Sequence, residues 1–594
     1  MTIPWQLDTS APNIEWLIAN FTKSCLGHFI NGHAFTTMSS TLPSPQLILG
    51  FETFFGRSEP TERLSLLQSL PKREIITELA GLNYRLKPKD SIEYSSSYAQ
   101  QVEELKRFVP FWGLFLPYKA LFDAHTAKTK DPVIFTRATC LFAIEEILKS
   151  DLADVEPNFV MDRQEVWDAI FKYLLCVNTV ISDIKNPDEE NTTFESVNAK
   201  LLALNELLIP IDPIYFPYRG YKLLEYLHDS PEYKDELTAY LASTYGRTYE
   251  ELVHAVMSLY LANKQPDNQF DFMYFTDPAK GSTILPALAK VFSNPDTIKL
   301  VSLRKYPFAS NGEGVYCLID NAFLLEKIYS QFVHDFWFDW LKAISHEGKS
   351  KFNIASYRGK IGYFVEHYLH YWMTYMFAKK ASYRMLTFDE LKFQKGKNQI
   401  ELADLYIRDG NRILVGQVKS GSIYDQEKFG GDIEALYKGD REKFFANFGV
   451  HQLVSSIQEI NENMKALDKG FPKGHSYEVY PCIVVNDKVF QTPIMANVFN
   501  DRFQEQLQKI TLPSRVKIHQ LTLLHVSDIE RMSVAVNKRP KLVWELLKFN
   551  TRDPHFIPPF YNTLNIKLVG REYAQEVREM YYDLIHRFSH STSA

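Results

Sequence analysis

The stretch IELADLYIRDGNRILVGQVKSG, residues 400–421, constrains the fold of this 594-residue chain more than any other. Two runs rich in β-branched and other apolar residues flank Asp409-Gly410-Asn411, a turn signal that predicts a hairpin of ELADLYIRD with RILVGQVKSG. Successive residues of a strand face opposite sides, so Asp404 is expected to share a face with Leu402 and Tyr406, away from Ala403, Leu405 and Ile407. Gln417 and Lys419 share one face of the second strand, with Gly416 and Val418 opposite. Closed in register, the hairpin sets Asp404 beside Gln417 and Lys419; a slip of one residue would separate them. Solvation alone does not explain an acid, an amide and a lysine on such apolar strands.

The elements around the hairpin set its context. Upstream, RGKIGYFVEHYLHYWMTYMFAKK reads as an amphipathic helix with the stripe Gly362, Val365, Leu369, Trp372, Met373 and Met376, and Glu366 lies at its margin. SYRMLTFDELKF reads as a strand followed by a Lys-Gly-Lys turn at 395–397. Downstream come a polar insertion, Tyr424 to Gly449, the helix HQLVSSIQEINENMKAL and the buried strand YEVYPCIVVND. QEQLQKI and IHQLTLLHVSDIERM then supply a further helix and strand, and helices close the chain before a frayed HSTSA tail. The order is α-β-β-β-α-β.

Before about residue 345 the texture is helical, with apolar residues at three- and four-residue spacing in NIEWLIANFTKSCLGHFI, EELKRFVPFWGLFLPYKALFDAHTA, TRATCLFAIEEILKSDL and RQEVWDAIFKYLLCVNTVISDI. Thr41 to Pro45, Ser91 to Tyr98 and the acidic NPDEENTT read as loops; Pro210 and Pro213 end one helix, and Thr248 caps another. LRKYPFASNGEGVYCLIDNAF breaks the pattern with two short extended pieces before a long aromatic helix, LLEKIYSQFVHDFWFDWL. The polar SHEGKSKFN marks a boundary. The expected architecture is α plus α/β: a mostly helical region over 1–345, then a mixed domain over 346–594.

A formal charge of −6 excludes a protein-wide basic field, so contact with nucleic acid would have to be local. Lys392, Lys395 and Lys397, with Lys349 and Lys351, offer one such phosphate patch, or simply a solvated loop. Five scattered cysteines form no CxxC pair and predict neither a zinc module nor a disulfide framework. With no leader-like start and no long apolar run, the expectation is a soluble cytoplasmic protein without a membrane span. His367 and His370 do not form HExxH, and neither Arg358-Gly359-Lys360 nor Gly430-Gly431 matches a nucleotide-binding loop.

The hairpin residues suit phosphodiester chemistry. Magnesium takes oxygen ligands and is usually held by one or two carboxylates together with waters and substrate phosphate. Asp404 and Glu366 supply carboxylates; Gln417 offers an amide oxygen or orients a water. Lys419 can stabilise the attacking hydroxide or the charge building on the phosphoryl oxygens. Glu366, Asp404 and Gln417-Val418-Lys419 within α-β-β-β-α-β resemble the PD-(D/E)xK nuclease superfamily, in the Gln-x-Lys variant of Mrr-like restriction endonucleases.

The resemblance covers about Phe352 to Met532 and is one of pattern. It implies a restriction-endonuclease-like fold, binding of Mg²⁺ or Mn²⁺ by Glu366, Asp404 and Gln417, and catalysis by these with Lys419. Ala403 stands where the motif has proline, and Gln417 where it has an acid, which leaves one- or two-metal operation open. Gln452 is followed by Ser456 where RecB-like relatives carry tyrosine, favouring the Mrr-like comparison. The implied partner is nucleic acid, DNA before RNA, and the architecture resembles restriction or anti-phage defence proteins. The helical region would serve substrate selection, a regulatory partner or self-association. The alternative is a noncatalytic binding protein that keeps the nuclease-like fold.

Overall fold

The computed structural model describes residues 47–87, 97–127, 132–154, 159–182, 193–262, 272–275, 284–291, 300–310, 314–346, 352–378, 380–395, 397–423, 433–568 and 570–589. The expected helix at Asn13, the loop at Thr41, most of Ser91 to Tyr98 and the acidic NPDEEN lie outside them, as do Lys349, Lys351, Gly430-Gly431 and the last five residues.

The N-terminal part is helical for the reasons its periodicity gave, with corrections where local chemistry intervenes. Pro110 lacks a backbone donor and pushes the residue before it out of the helical region, so the expected single helix splits into Tyr98–Phe108 and Trp112–Thr126. Thr248 does cap its helix: its hydroxyl accepts from the Glu251 N–H (3.3 Å) while the Glu251 carboxylate accepts from the Thr248 N–H (2.8 Å). The two extended pieces become Phe308–Ser310 and Val315–Leu318, paired antiparallel inside a small four-stranded sheet with Met273–Phe275 and Ala289–Val291. The long aromatic helix is instead broken into Asn321–Glu326, Ser330–Asp335, a π turn at Phe336–Leu341 and Lys342–His346.

The C-terminal part is built on a six-stranded mixed sheet. Its strands are β1 (Tyr383–Thr387), β2 (Leu405–Asp409), β3 (Arg412–Lys419), β4 (Tyr477–Val485), β5 (Val516–Ile518) and β6 (Thr522–His525). Strands β1, β2 and β3 run antiparallel in sequence; β4 lies parallel to β3, and β5 and β6 follow one another along the far edge of β4. Helices α1 (Ile354–Phe377), α2 (Val450–Asn463), α3 (Met495–Leu507) and α4 (Val526–Lys538) cover it. The element order is therefore α1-β1-β2-β3-α2-β4, with two short helices and a small ribbon inserted.

Strand β4 is apolar on both faces and is buried on both. Tyr480, Cys482 and Val484 join a core with Leu405, Ile407, Leu414 and the stripe of α1, while Val479, Ile483 and Val485 join Tyr406, Ile413, Val415 and α2. Elements on both sides of the expected boundary at residues 345–346 share the first of these cores, from Ala80 and Ile211 through Leu341 to Leu584. Arg219 and Glu530 (3.6 Å) face each other inside it, and the Tyr368 hydroxyl of α1 donates to Glu530 (2.7 Å).

Three expectations in this part are corrected. The strand SYRMLTFDELKF stops at Thr387, where Thr387 and Glu390 form a capping box around a tight turn, and Lys392–Lys395 starts a separate ribbon with Asn398–Glu401. The end of the polar insertion is not merely polar: helices Ile433–Tyr437 and Arg441–Asn447 bury Tyr437, Phe444 and Phe445. The last strand ends at His525, whose ring accepts from the Ser527 N–H (3.1 Å) and starts α4, so VSDIERM is helical. Among the described residues no helix is long and apolar enough to cross a membrane.

Two carboxyls in α4 carry a pH signature. Burial pushes Asp528 and Glu530 each up to about 7 from ordinary values of 3.8 and 4.5. The folded protein holds protons that the unfolded chain releases near pH 4, so this stabilisation is complete below that pH and lost as pH rises through about 7. The slope is on the order of 1 kcal/mol per pH unit for each proton. Thermal midpoints are expected to fall between about pH 4 and 7, and less steeply in Asp528→Asn; equal slopes in parent and variant would contradict the assignment.

Candidate active site

The hairpin closes as its turn residues require. Asp409 pairs with Arg412 around Gly410-Asn411, and Gly410 takes φ +61, a left-handed conformation that costs glycine little. At the open end Leu405 pairs with Gly416, and the Asp404 N–H also donates to the Gly416 carbonyl (3.1 Å). Two consecutive residues thus oppose one, the geometry of a β-bulge, which ends the pairing and re-aims a side chain. The expected alternation consequently holds only from Leu405 onward: Ala403 packs in the same core as Leu402 and Tyr406. The Asp404 carboxylate turns to the neighbouring strand and accepts from the Val418 N–H (2.6 Å), between Gln417 and Lys419.

Helix α2 holds the other two residues. Four residues of helix rise about 6 Å and two residues of strand about 6.6 Å. Gln452 and Ser456 on α2 can therefore match Lys419 and Gln417 on β3. Lys419 Nζ donates to Gln452 Oε1 (2.7 Å), and Gln417 Nε2 donates to Ser456 Oγ (2.9 Å). Gln417 is fully buried, and its Oε1 has no hydrogen-bond partner. A buried amide oxygen without a donor is costly unless something else fills that role.

Glu366 comes from α1, as its place on the stripe margin suggested. The helix is capped by Asn353, whose side chain accepts from the Ser356 N–H (2.8 Å), and it passes the end of β3 closely: a methyl group on Gly362 would lie 3.2 Å from Ser420 Oγ. One turn on, Glu366 is half-buried, and its carboxyl is pushed up by burial and by the charges of Asp404 and Glu401. Burial also raises Asp404, opposed by the Val418 N–H and by Lys419. Glu401 is raised by burial and by Asp404, with Lys392 and Lys419 pulling the other way. The charge of Asp404 thus disfavours ionisation of both Glu366 and Glu401, beside one lysine, an arrangement whose acids a cation would relieve.

Among the described residues no group of three or more His, Cys, Asp and Glu side chains is placed to hold a metal ion. The arrangement at β3 is of another composition, two carboxylates and an amide oxygen, which suits a hard cation that keeps several waters. The orphaned Gln417 Oε1 is the observation that fits such an ion. His367 and His370 are engaged elsewhere, with the Tyr363 carbonyl (2.6 Å) and the Thr387 hydroxyl (2.6 Å). Arg358-Gly359-Lys360 lies inside α1, and Lys392 pairs with Asp389.

Sequence reasoning named Gln452 and Ser456 only as markers of kinship and missed Glu401 and Gly449. The i, i+4 spacing of Gln452 and Ser456 was the available signal for their joint role. Gly449, at φ +82, precedes α2, and a Cβ there would meet Lys419 Cε at 2.6 Å and Gln417 Cβ at 3.4 Å. Gly449→Ala is therefore expected to displace Lys419, lowering any Lys419-dependent activity about a hundredfold, and to cost about 1 kcal/mol of stability through its backbone conformation. Wild-type turnover in a folded Gly449→Ala protein would refute this packing. Comparison with protein-family models, curated proteins and solved structures gave no match, so the geometry stands by itself.

Proposed function

We propose that this chain is a Mg²⁺- or Mn²⁺-dependent nuclease of restriction-endonuclease-like fold, acting on DNA. The observation that carries the reading is the convergence at the end of β3: two carboxyls raised by burial, Glu366 also by the charge of Asp404, a lysine held by Gln452, and the partnerless buried oxygen of Gln417. Glu366, Asp404 and Gln417 would hold the ion. When bound, the ion would polarise the scissile phosphate and neutralise its charge. The chain's own residues do the rest. The Val418 N–H fixes the Asp404 carboxylate. Gly449 and Gln452 fix the Lys419 ammonium, which offsets negative charge building on the phosphoryl oxygens.

Incubation with plasmid, linear DNA and RNA, with and without Mg²⁺ or Mn²⁺, tests this reading. Metal-dependent cleavage lost in Asp404→Ala and Lys419→Ala supports it, and cleavage surviving both substitutions sinks the site. A noncatalytic binding protein of the same fold is the second reading. It is favoured by the lack, among described residues, of three or more His, Cys, Asp and Glu side chains placed to hold a metal ion, and it predicts no cleavage with either metal.

A further inference from the structure

The ribbon Lys392–Lys395 with Asn398–Glu401 grows out of the candidate site. Its base is tied there by backbone bonds: the Leu402 N–H donates to the Leu391 carbonyl (3.0 Å), and the Phe388 N–H donates to the Asp404 carbonyl (2.8 Å). Phe393 pairs with Ile400, and both pack on the core that holds α2. The alternate pair, Gln394 with Gln399, is exposed, as is Lys397 at the turn. Glu401, at the base, belongs to the acid cluster. A rigidly rooted ribbon thus presents two neutral amides and a lysine, rather than apolar groups, at the mouth of an acidic site.

We propose that this ribbon enters the major groove of B-form DNA beside the bond to be cut, with Gln394 and Gln399 reading adenine edges and Lys397 meeting a phosphate. The inference rests on the nuclease reading for the position of that bond. Two paired strands of this length reach about 13 Å, and the B-form major groove is about 12 Å wide and 8.5 Å deep, enough for a two-stranded ribbon. Glutamine amides match the N6 donor and N7 acceptor of adenine. The deep, narrow major groove of A-form RNA would not admit the ribbon, so the substrate class is duplex DNA.

Binding can be separated from cleavage by working with the full chain carrying Asp404→Asn. Fluorescence anisotropy would compare a duplex containing A·T pairs, an all-G·C duplex, the single strands and an RNA duplex. Gln394→Ala/Gln399→Ala in that background is expected to weaken A·T duplex binding about tenfold and abolish the preference over G·C, while single-strand affinity is unchanged. Lys397→Ala is expected to reduce the salt slope by about one on every DNA duplex. Unchanged duplex affinity in the double variant, equal losses on RNA and single strands, or no duplex binding by the parent would each overturn the proposal. Cleavage by the wild-type chain is scored separately. Cleavage with an indifferent ribbon removes only this inference, and a sensitive ribbon without cleavage removes only the nuclease reading.

Discussion

Asp404→Asn is expected to leave a folded protein, at least as heat-stable as the parent, whose metal-dependent cleavage falls at least about a thousandfold. The asparagine keeps an oxygen where Asp404 Oδ2 accepts from the Val418 N–H, so the side chain at the start of β2 retains its bond to β3. What is lost is the charge, and that charge is unfavourable in the fold: burial raises the Asp404 carboxyl despite help from Val418 and Lys419. Removing a charge that burial disfavours is expected to relieve the fold while disabling the proposed site. Lys419→Ala is expected to cost a further test of the same kind, about a hundred- to a thousandfold in rate. Lys419→Arg is not expected to rescue it, because Gly449 already lies against the lysine stem and a planar guanidinium needs another volume. Melting curves and single-turnover cleavage on the same preparations decide the matter. A variant that melts well below the parent would mean that Asp404 is a structural acid.

The hairpin was legible because three local signals agree in it: the turn glycine, the alternation from Leu405 onward and the apolar strands on either side. The bulge at Asp404 was not: it arises where the Asp404 N–H shares the Gly416 carbonyl, and the re-aimed carboxylate then meets the backbone of the neighbouring strand. Similarly, Glu366 could be placed on the margin of a helical stripe, but only packing brings α1 past Ser420. Lys419 and Gln417 could be singled out as an odd pair on an apolar strand, whereas the residues that hold them lie more than thirty positions away on α2. In the N-terminal part periodicity gave the helices while Pro110 set a break, and in the C-terminal part the capping chemistry of Thr387 set another; a pattern of apolar residues registers neither. The shared core spanning residues 80–584 has no sequence signature, because either half of such an interface reads as an ordinary apolar face.

The largest loss of stability is expected far from the site, at Asp320. Both of its oxygens are engaged by Arg137, through Nη2 (2.7 Å) and Nε (2.7 Å), and both side chains are wholly buried. The same carboxylate caps helix Asn321–Glu326 by accepting from the Phe323 N–H (2.9 Å), and it accepts from Asn83 Nδ2 (3.2 Å). Arg137 also donates to the Leu207 carbonyl (2.7 Å), so four segments meet at one ion pair. Asp320→Ala leaves the guanidinium buried without its counter-charge and the helix without its cap, a loss of about 3–5 kcal/mol. Arg137→Met combined with Asp320→Ala should cost less than the two single changes added together, because the second removes the charge the first strands. The acid limb carries a matching signature. Arg137 and the Phe323 N–H hold Asp320 down to about 2 against an ordinary 3.8, so its stabilisation is complete above pH 4 and lost as pH falls through about 2. Urea unfolding read by circular dichroism should show a lower midpoint with an unchanged slope in Asp320→Ala, and weaker acid sensitivity below pH 4. Because Glu326, at the other end of the capped helix, pairs with Lys488 just after β4, the loosened cap is expected to lower the stability of the sheet as well. A transition in which only the N-terminal helices respond would break that link.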